Sequence, residues 1–176
     1  MKVITAGLRV IDALNEFVGN AVSWLTTVMV LVVCYDVLTR YVLKESSVAV
    51  QELEWHLFSI IFLIGAAFTL KHDRHVRVDL FYIKFSPRAK AWVDFLGSLF
   101  FLIPFALLVI WASQNFVGNS FHMHETSPDP GGLPARYLLK AAIPAGFVLL
   151  LLQGFALAVR SLMTALELNG HPGAQR

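Results

Sequence analysis

The chain has 176 residues, 57% of them hydrophobic, with a mean hydropathy of +0.65 and a formal net charge of +2. That composition lies outside the usual soluble range, and four membrane crossings with their loops consume the length, so no stretch remains for a separate aqueous domain with a catalytic core. Cys34 is the single cysteine, which excludes an internal disulfide.

Four runs, 17–35, 57–70, 95–121 and 141–159, contain no Asp, Glu, Lys, Arg or His. A hydrocarbon slab about 30 Å thick selects such runs as helices, because roughly 20 residues cross it with every backbone group bonded internally. The expected fold is an all-α membrane protein of one membrane domain, 1–176. Its four transmembrane helices, about 17–38, 48–70, 92–117 and 137–162, are preceded by an N-terminal amphipathic interfacial helix over 2–16. In that first segment Ile4, Leu8, Ile11 and Leu14 recur at helical spacing, with Lys2, Arg9, Asp12 and Glu16 elsewhere around it. The charges also prevent a signal-peptide apolar core from forming.

Span two is short. Its ionisable-free part is 14 residues, or about 21 Å of helix, so it must begin near Val48 and draw Gln51, Glu52, Glu54 and His56 into the membrane edge. Glu52 and His56 share a face, whereas Glu54 points about 200° away from Glu52. Two readings stand: a wetted helix end, or a carboxylate that pairs with a cation on a partner subunit. Gly65-Ala66-Ala67 offers a small face for close helix packing. After the span, Val76, Val78 and Leu80 alternate with His75, Arg77 and Asp79, the pattern of a chain half-buried on lipid headgroups or on another subunit.

Pro104 is expected to kink span three. The following loop, His122 to Lys140, holds Ser127-Pro128-Asp129-Pro130-Gly131-Gly132-Leu133-Pro134, which is turn chemistry. Ser127, Asp129, Gly131, Gly132 and Arg136 form its candidate docking surface. Pro134 suits the first turn of span four, where a missing N–H costs nothing. Within that span Ala142-x-x-x-Gly146 is a second small face, and Gln153 is expected to hydrogen-bond to a neighbouring helix.

Ten of the fourteen Lys and Arg residues fall in the N-terminal segment, the loop between spans two and three, and the tail. The positive-inside rule puts that side, with both termini, in the cytoplasm. His72 and His75 then lie inside while His122 and His124 lie outside, so they cannot converge on one metal, and a bis-histidine haem lacks its axial pair. With no ionisable group at mid-depth, the chain lacks the usual means of carrying a polar solute. Catalytic, substrate-binding, metal and nucleic-acid sites are not expected.

The stretches Gln51-Glu52-Leu53-Glu54-Trp55-His56-Leu57-Phe58, Phe62-Leu63-Ile64-Gly65-Ala66-Ala67, His75-Val76-Arg77-Val78-Asp79 and Ser127 to Pro134, with Pro144, Gly146, Phe147, Gln153 and Gly154, give the chain a further reading. Together they resemble the small permease (DctQ-like) subunit of tripartite ATP-independent periplasmic (TRAP) transporters. The resemblance implies a non-catalytic subunit of the bacterial inner membrane, without cofactors. It would brace a large elevator-type permease that holds the sodium and substrate sites, while a periplasmic binding protein delivers an organic acid. Partners are then the large permease, the binding protein and membrane lipids, with Glu52, Glu54, His56, Gly65, His75, Arg77 and Asp79 as candidate partner-interface residues. The small-residue faces alone equally suit a self-associating four-helix scaffold or small channel.

Overall fold

A computed structural model describes residues 2–72, 82 and 85–166. Among the described residues the long helical elements are α1 Lys2–Leu38, α2 Val48–Lys71, α3 Pro87–Gly97, α4 Ile103–His122 and α5 Arg136–Ala165. Two π-helical segments, Thr39–Leu43 and Ser98–Leu102, extend α1 and join α3 to α4. Among the described residues four segments are long and apolar enough to cross a membrane: Thr5–Leu43, Val48–Lys71, Pro87–His122 and Arg136–Ala165.

The amphipathic stretch and span one are a single continuous helix. Along α1 Leu8, Asn15, Val22 and Asp36 are buried and Met29 half-buried, a seven-residue repeat. Such a repeat keeps one seam facing a neighbouring helix over many turns. The neighbour is α2, against which α1 runs antiparallel: Gly19 backs onto Phe68, and Lys71 reaches Asp12 and Glu16.

The segment Pro87–His122 begins on a capped turn, with Ser86 Oγ accepting from the Ala89 N–H at 3.2 Å and Pro87 in the first turn. It does not break at Pro104. Proline has no N–H to give Phe100 and its ring crowds that carbonyl. Immediately before it the helix widens into the π-helical turn Ser98–Leu102, closed by the Ile103 N–H on the Ser98 carbonyl.

Packing runs in a row, α1 on α2, α2 on α5, and α5 on α3 and α4, with α1 also touching α5. The most apolar window of α5 is 39% buried, against 11% to 17% in the other three spans, so α5 is the centre. Its buried residues explain how it serves neighbours on two sides. Ala142, Gly146, Gln153 and Ala156 form one stripe, while Gly154, Ala158, Ser161 and Ala165 form another. At 3.6 residues per turn the stripes lie about 125° apart, which turns the first toward α2, where Gly146 meets Leu63, and the second toward the Pro87–His122 segment, where Gly154 meets Leu102, with a groove between α2 and that segment. Seven of the eight residues are small, which lets backbones approach without an aqueous hydrophobic force to drive them together.

Candidate contact sites at the two membrane edges

Polar side chains collect at the two ends of this row. At the edge where α2 begins and α5 begins, the loop of residues 123–135 folds back on itself. The Ser127 N–H donates to the Leu133 carbonyl at 3.1 Å, and the Gly132 N–H to the Asp129 carbonyl at 3.0 Å. Pro130 and Gly131 occupy the centre of that turn, and Gly131 has φ +81°, the left-handed value a type II turn requires. Ala135, at φ 62°, ends the loop, and α5 starts at Arg136, so Pro134 lies outside the helix and not in its first turn.

Glu52 closes this loop onto α2. Its carboxylate accepts from the Ser127 hydroxyl at 2.5 Å through Oε1 and from the Leu133 N–H at 2.6 Å through Oε2. The residue is 4% exposed, so its charge is held by donors from both arms of the loop. A Cβ on Gly132 would sit 2.8 Å from Glu52 Oε2, which is why the loop has no side chain there. His56, one turn on, places Nδ1 2.5 Å from the Glu52 backbone carbonyl.

Of the two carboxylates at the start of span two, Glu52 is therefore engaged within the chain. Glu54 points away from it and is half-buried, and its Oε1 is enclosed without a hydrogen-bond partner. Gly65 lies on the α1 side, 3.9 Å from Val22 for an added Cβ. His75, Arg77 and Asp79 fall outside the described residues.

Two further pairs secure the same edge, and neither was legible from local spacing. Glu125 and Lys140 form an ion pair across the loop, and the ammonium also lies 4.1 Å above the Phe116 ring. The Lys140 hydrogen bond holds the Glu125 carboxyl below its usual value. The Arg136 guanidinium stacks 5.6 Å from the centre of the Trp55 ring.

At the opposite edge a polar ladder links α1, α2 and α5. Lys71 donates to Glu16 at 2.5 Å and to the Asp12 carbonyl at 3.0 Å, with His72 at 3.1 Å from Glu16. Asp12 pairs with Arg160 and accepts from Gln153 Nε2 at 3.4 Å. Deeper, Asn15 Nδ2 donates to Gln153 Oε1 at 2.9 Å, with both residues almost fully buried. Gln153 thus bonds to a neighbouring helix, as its place in an apolar span led one to expect. The charged face of the amphipathic segment is where the other half of the ladder was hidden: Asp12, Asn15 and Glu16 recur at three- and four-residue spacing.

Among the described residues no cluster of three or more His, Cys, Asp or Glu side chains is arranged to hold a metal ion. The polar chemistry here joins segments and fixes their register. A family model described as "Tripartite ATP-independent periplasmic transporters, DctQ component" matches residues 29–164, more than three quarters of the chain. No curated protein and no solved structure matches it. With four membrane-sized helices in a row and a match of that extent, the chain belongs to the DctQ component family of tripartite ATP-independent periplasmic transporters.

Proposed function

We propose that this chain is the small, non-catalytic subunit of a sodium-coupled importer of an organic acid, bracing a large elevator-type permease in the inner membrane. The family supports a transporter component with further subunits. The observation that carries the bracing role is on α1. Asn20, Ser23, Thr27 and Cys34 are all exposed and fall at three-, four- and seven-residue intervals on one side of a membrane-spanning helix. Small and polar side chains on such a surface suit contact with another helix better than contact with acyl chains. Glu54, half-buried and turned away from Glu52, is the remaining carboxylate of α2 that could meet a cation from the large subunit.

The loop held by Glu52 supports the second part of the reading. A loop pinned to the membrane edge on both arms, with Asp129 and the Pro130-Gly131 turn at its tip, is a preorganised surface on which a periplasmic binding protein can dock. The positive-inside count supports a periplasmic position for it.

Reconstitution tests these roles. The large permease is placed in proteoliposomes with its binding protein and a sodium gradient, with and without this chain. Uptake should require the chain, and Thr27→Trp should lower co-purification of the large subunit while the isolated chain stays folded. Full uptake by the large permease alone would end the bracing reading. A stable homo-oligomer that excludes the large subunit would favour a self-associating scaffold instead.

A further inference from the structure

The groove between α2, α4 and α5 opens beside the Glu52 loop and encloses about 440 Å³. That volume is in the range of small-molecule and cofactor sites, about 300–1,000 Å³. Its chemistry is graded with depth. Arg136, Lys140 and Glu125 line the rim, and Leu63, Leu139 and Ile143 line the interior. Arg136 to Ile143 is seven residues of α5, which at 1.5 Å per residue carries the groove about 10 Å below the membrane edge. A site that is cationic at headgroup level and apolar one to two turns deeper matches an amphiphile lying along the membrane normal.

The rim charges are not equivalent. Lys140 is paired with Glu125, so those two nearly cancel. Arg136 makes no ion pair within 4 Å among the described residues, and its planar group is held against the Trp55 ring, leaving N–H donors unspent. A guanidinium fork is suited to two oxygens of one phosphate. Among the lining residues Arg136 and Lys140 outnumber Glu125, while the buried Glu52 carboxylate behind the rim, which also acts on Arg136, has its two oxygens taken by Ser127 and Leu133.

We propose that this groove binds one phospholipid, with its phosphate on Arg136 beside Lys140 and an acyl chain along Leu63, Leu139 and Ile143. A free phosphate would leave the apolar interior unused, and a lipid without phosphate would leave Arg136 unpaired. The site belongs to the isolated chain and stands apart from the bracing role.

Native mass spectrometry of the delipidated, purified chain tests it with three probes: phosphatidylglycerol, diacylglycerol and glycerol 3-phosphate. One phosphatidylglycerol should be retained, with the two fragments binding at least about tenfold more weakly, a difference of about 1.4 kcal/mol. Arg136→Gln should weaken retention about tenfold, and Ile143→Trp, which fills the interior without touching a charge, should abolish it. Since Arg136 also borders the loop, Ile143→Trp keeps the test independent of any loosening there. Equal retention by both variants and wild type would mean ordinary annular lipid and overturn the proposal. Tight binding of glycerol 3-phosphate alone would overturn it in favour of a solute site.

Discussion

Gly146 sets the distance between α2 and α5, and replacing it with Ala tests the row arrangement directly. A Cβ at that position would lie 2.5 Å from the Leu63 carbonyl oxygen and 2.8 Å from its carbon. Carbon-to-carbonyl contacts normally close at about 3.3–3.6 Å, so the two helices must separate by about 0.8–1.1 Å. The obstacle is backbone and cannot turn aside as a side-chain tip would. Overpacking of this kind costs about 1–3 kcal/mol, offset by about 0.5–1 kcal/mol because Ala orders more cheaply than Gly in a helix. The net expectation is a loss of about 1–2 kcal/mol. Gly97 is the control, since an added Cβ there meets nothing within 4 Å, and Gly97→Ala should be neutral or stabilising. Reversible unfolding of the purified chain in mixed micelles, followed by tryptophan fluorescence, reads both. If Gly146→Ala is as stable as Gly97→Ala, α2 and α5 do not approach as described, and the central place of α5 is wrong.

Gln153→Leu should cost about 0.6–1.7 kcal/mol in the same assay, the range for one interhelical hydrogen bond in a membrane protein, and Asn15→Leu should add little once Gln153 is gone. Glu52→Gln keeps one acceptor and loses the other, so hydrogen exchange at the Leu133 amide should accelerate while α4 amides stay protected; unchanged exchange would refute the clamp. Gly131→Ala, forced to φ +81°, should cost about 1 kcal/mol or more and Gly131→Asn less, read as loosening of the loop to a protease. The Glu125 carboxyl is lowered from 4.5 by Lys140, so its contribution is complete above that value and is lost as the pH falls below it toward the folded-state value. Proteolysis of the loop should be flat from pH 7 down to about 5 and rise only in more acid solution, and Lys140→Gln should raise proteolysis at neutral pH while flattening that acid rise.

That four helices would be long and apolar enough to cross a membrane was legible because hydrocarbon imposes both a length and a composition. The start of α2 at Val48 follows from the same length argument. Gln153 was legible for a related reason: a primary amide at mid-span has few alternatives to a neighbouring helix. Pro104 was half legible. The sequence marks the missing N–H, yet whether the helix bends or widens depends on the packing of Leu102 beside Gly154. What could not be read was which carboxylate of span two turns inward. Glu52 and Glu54 point in nearly opposite directions, and the choice is made by donors about 75 to 80 residues away in the loop. Nor does local spacing pair Asp12 with Arg160, because that contact exists only once α1 has crossed toward α5.

The two polar clusters have different effects on the row. The ladder of Asn15, Gln153, Asp12 and Arg160 ties α1 to α5 across the end of α2, so α2 is held between them at one edge. At the other edge Glu52 ties α2 to the loop that starts α5, while α1, which packs mainly on α2 among the described residues, continues past it as an extension. The exposed Asn20, Ser23, Thr27 and Cys34 stripe lies on this thinly covered helix. Burial is greatest along α5 and low along α1, the order expected if α5 is an internal spine and α1 the surface offered to a partner. A subunit built this way gains rigidity in α1 only when that partner is present, so hydrogen exchange along 23–38 should slow on binding the large permease far more than exchange along α5. Equal protection of the two helices, with or without the partner, would contradict that division.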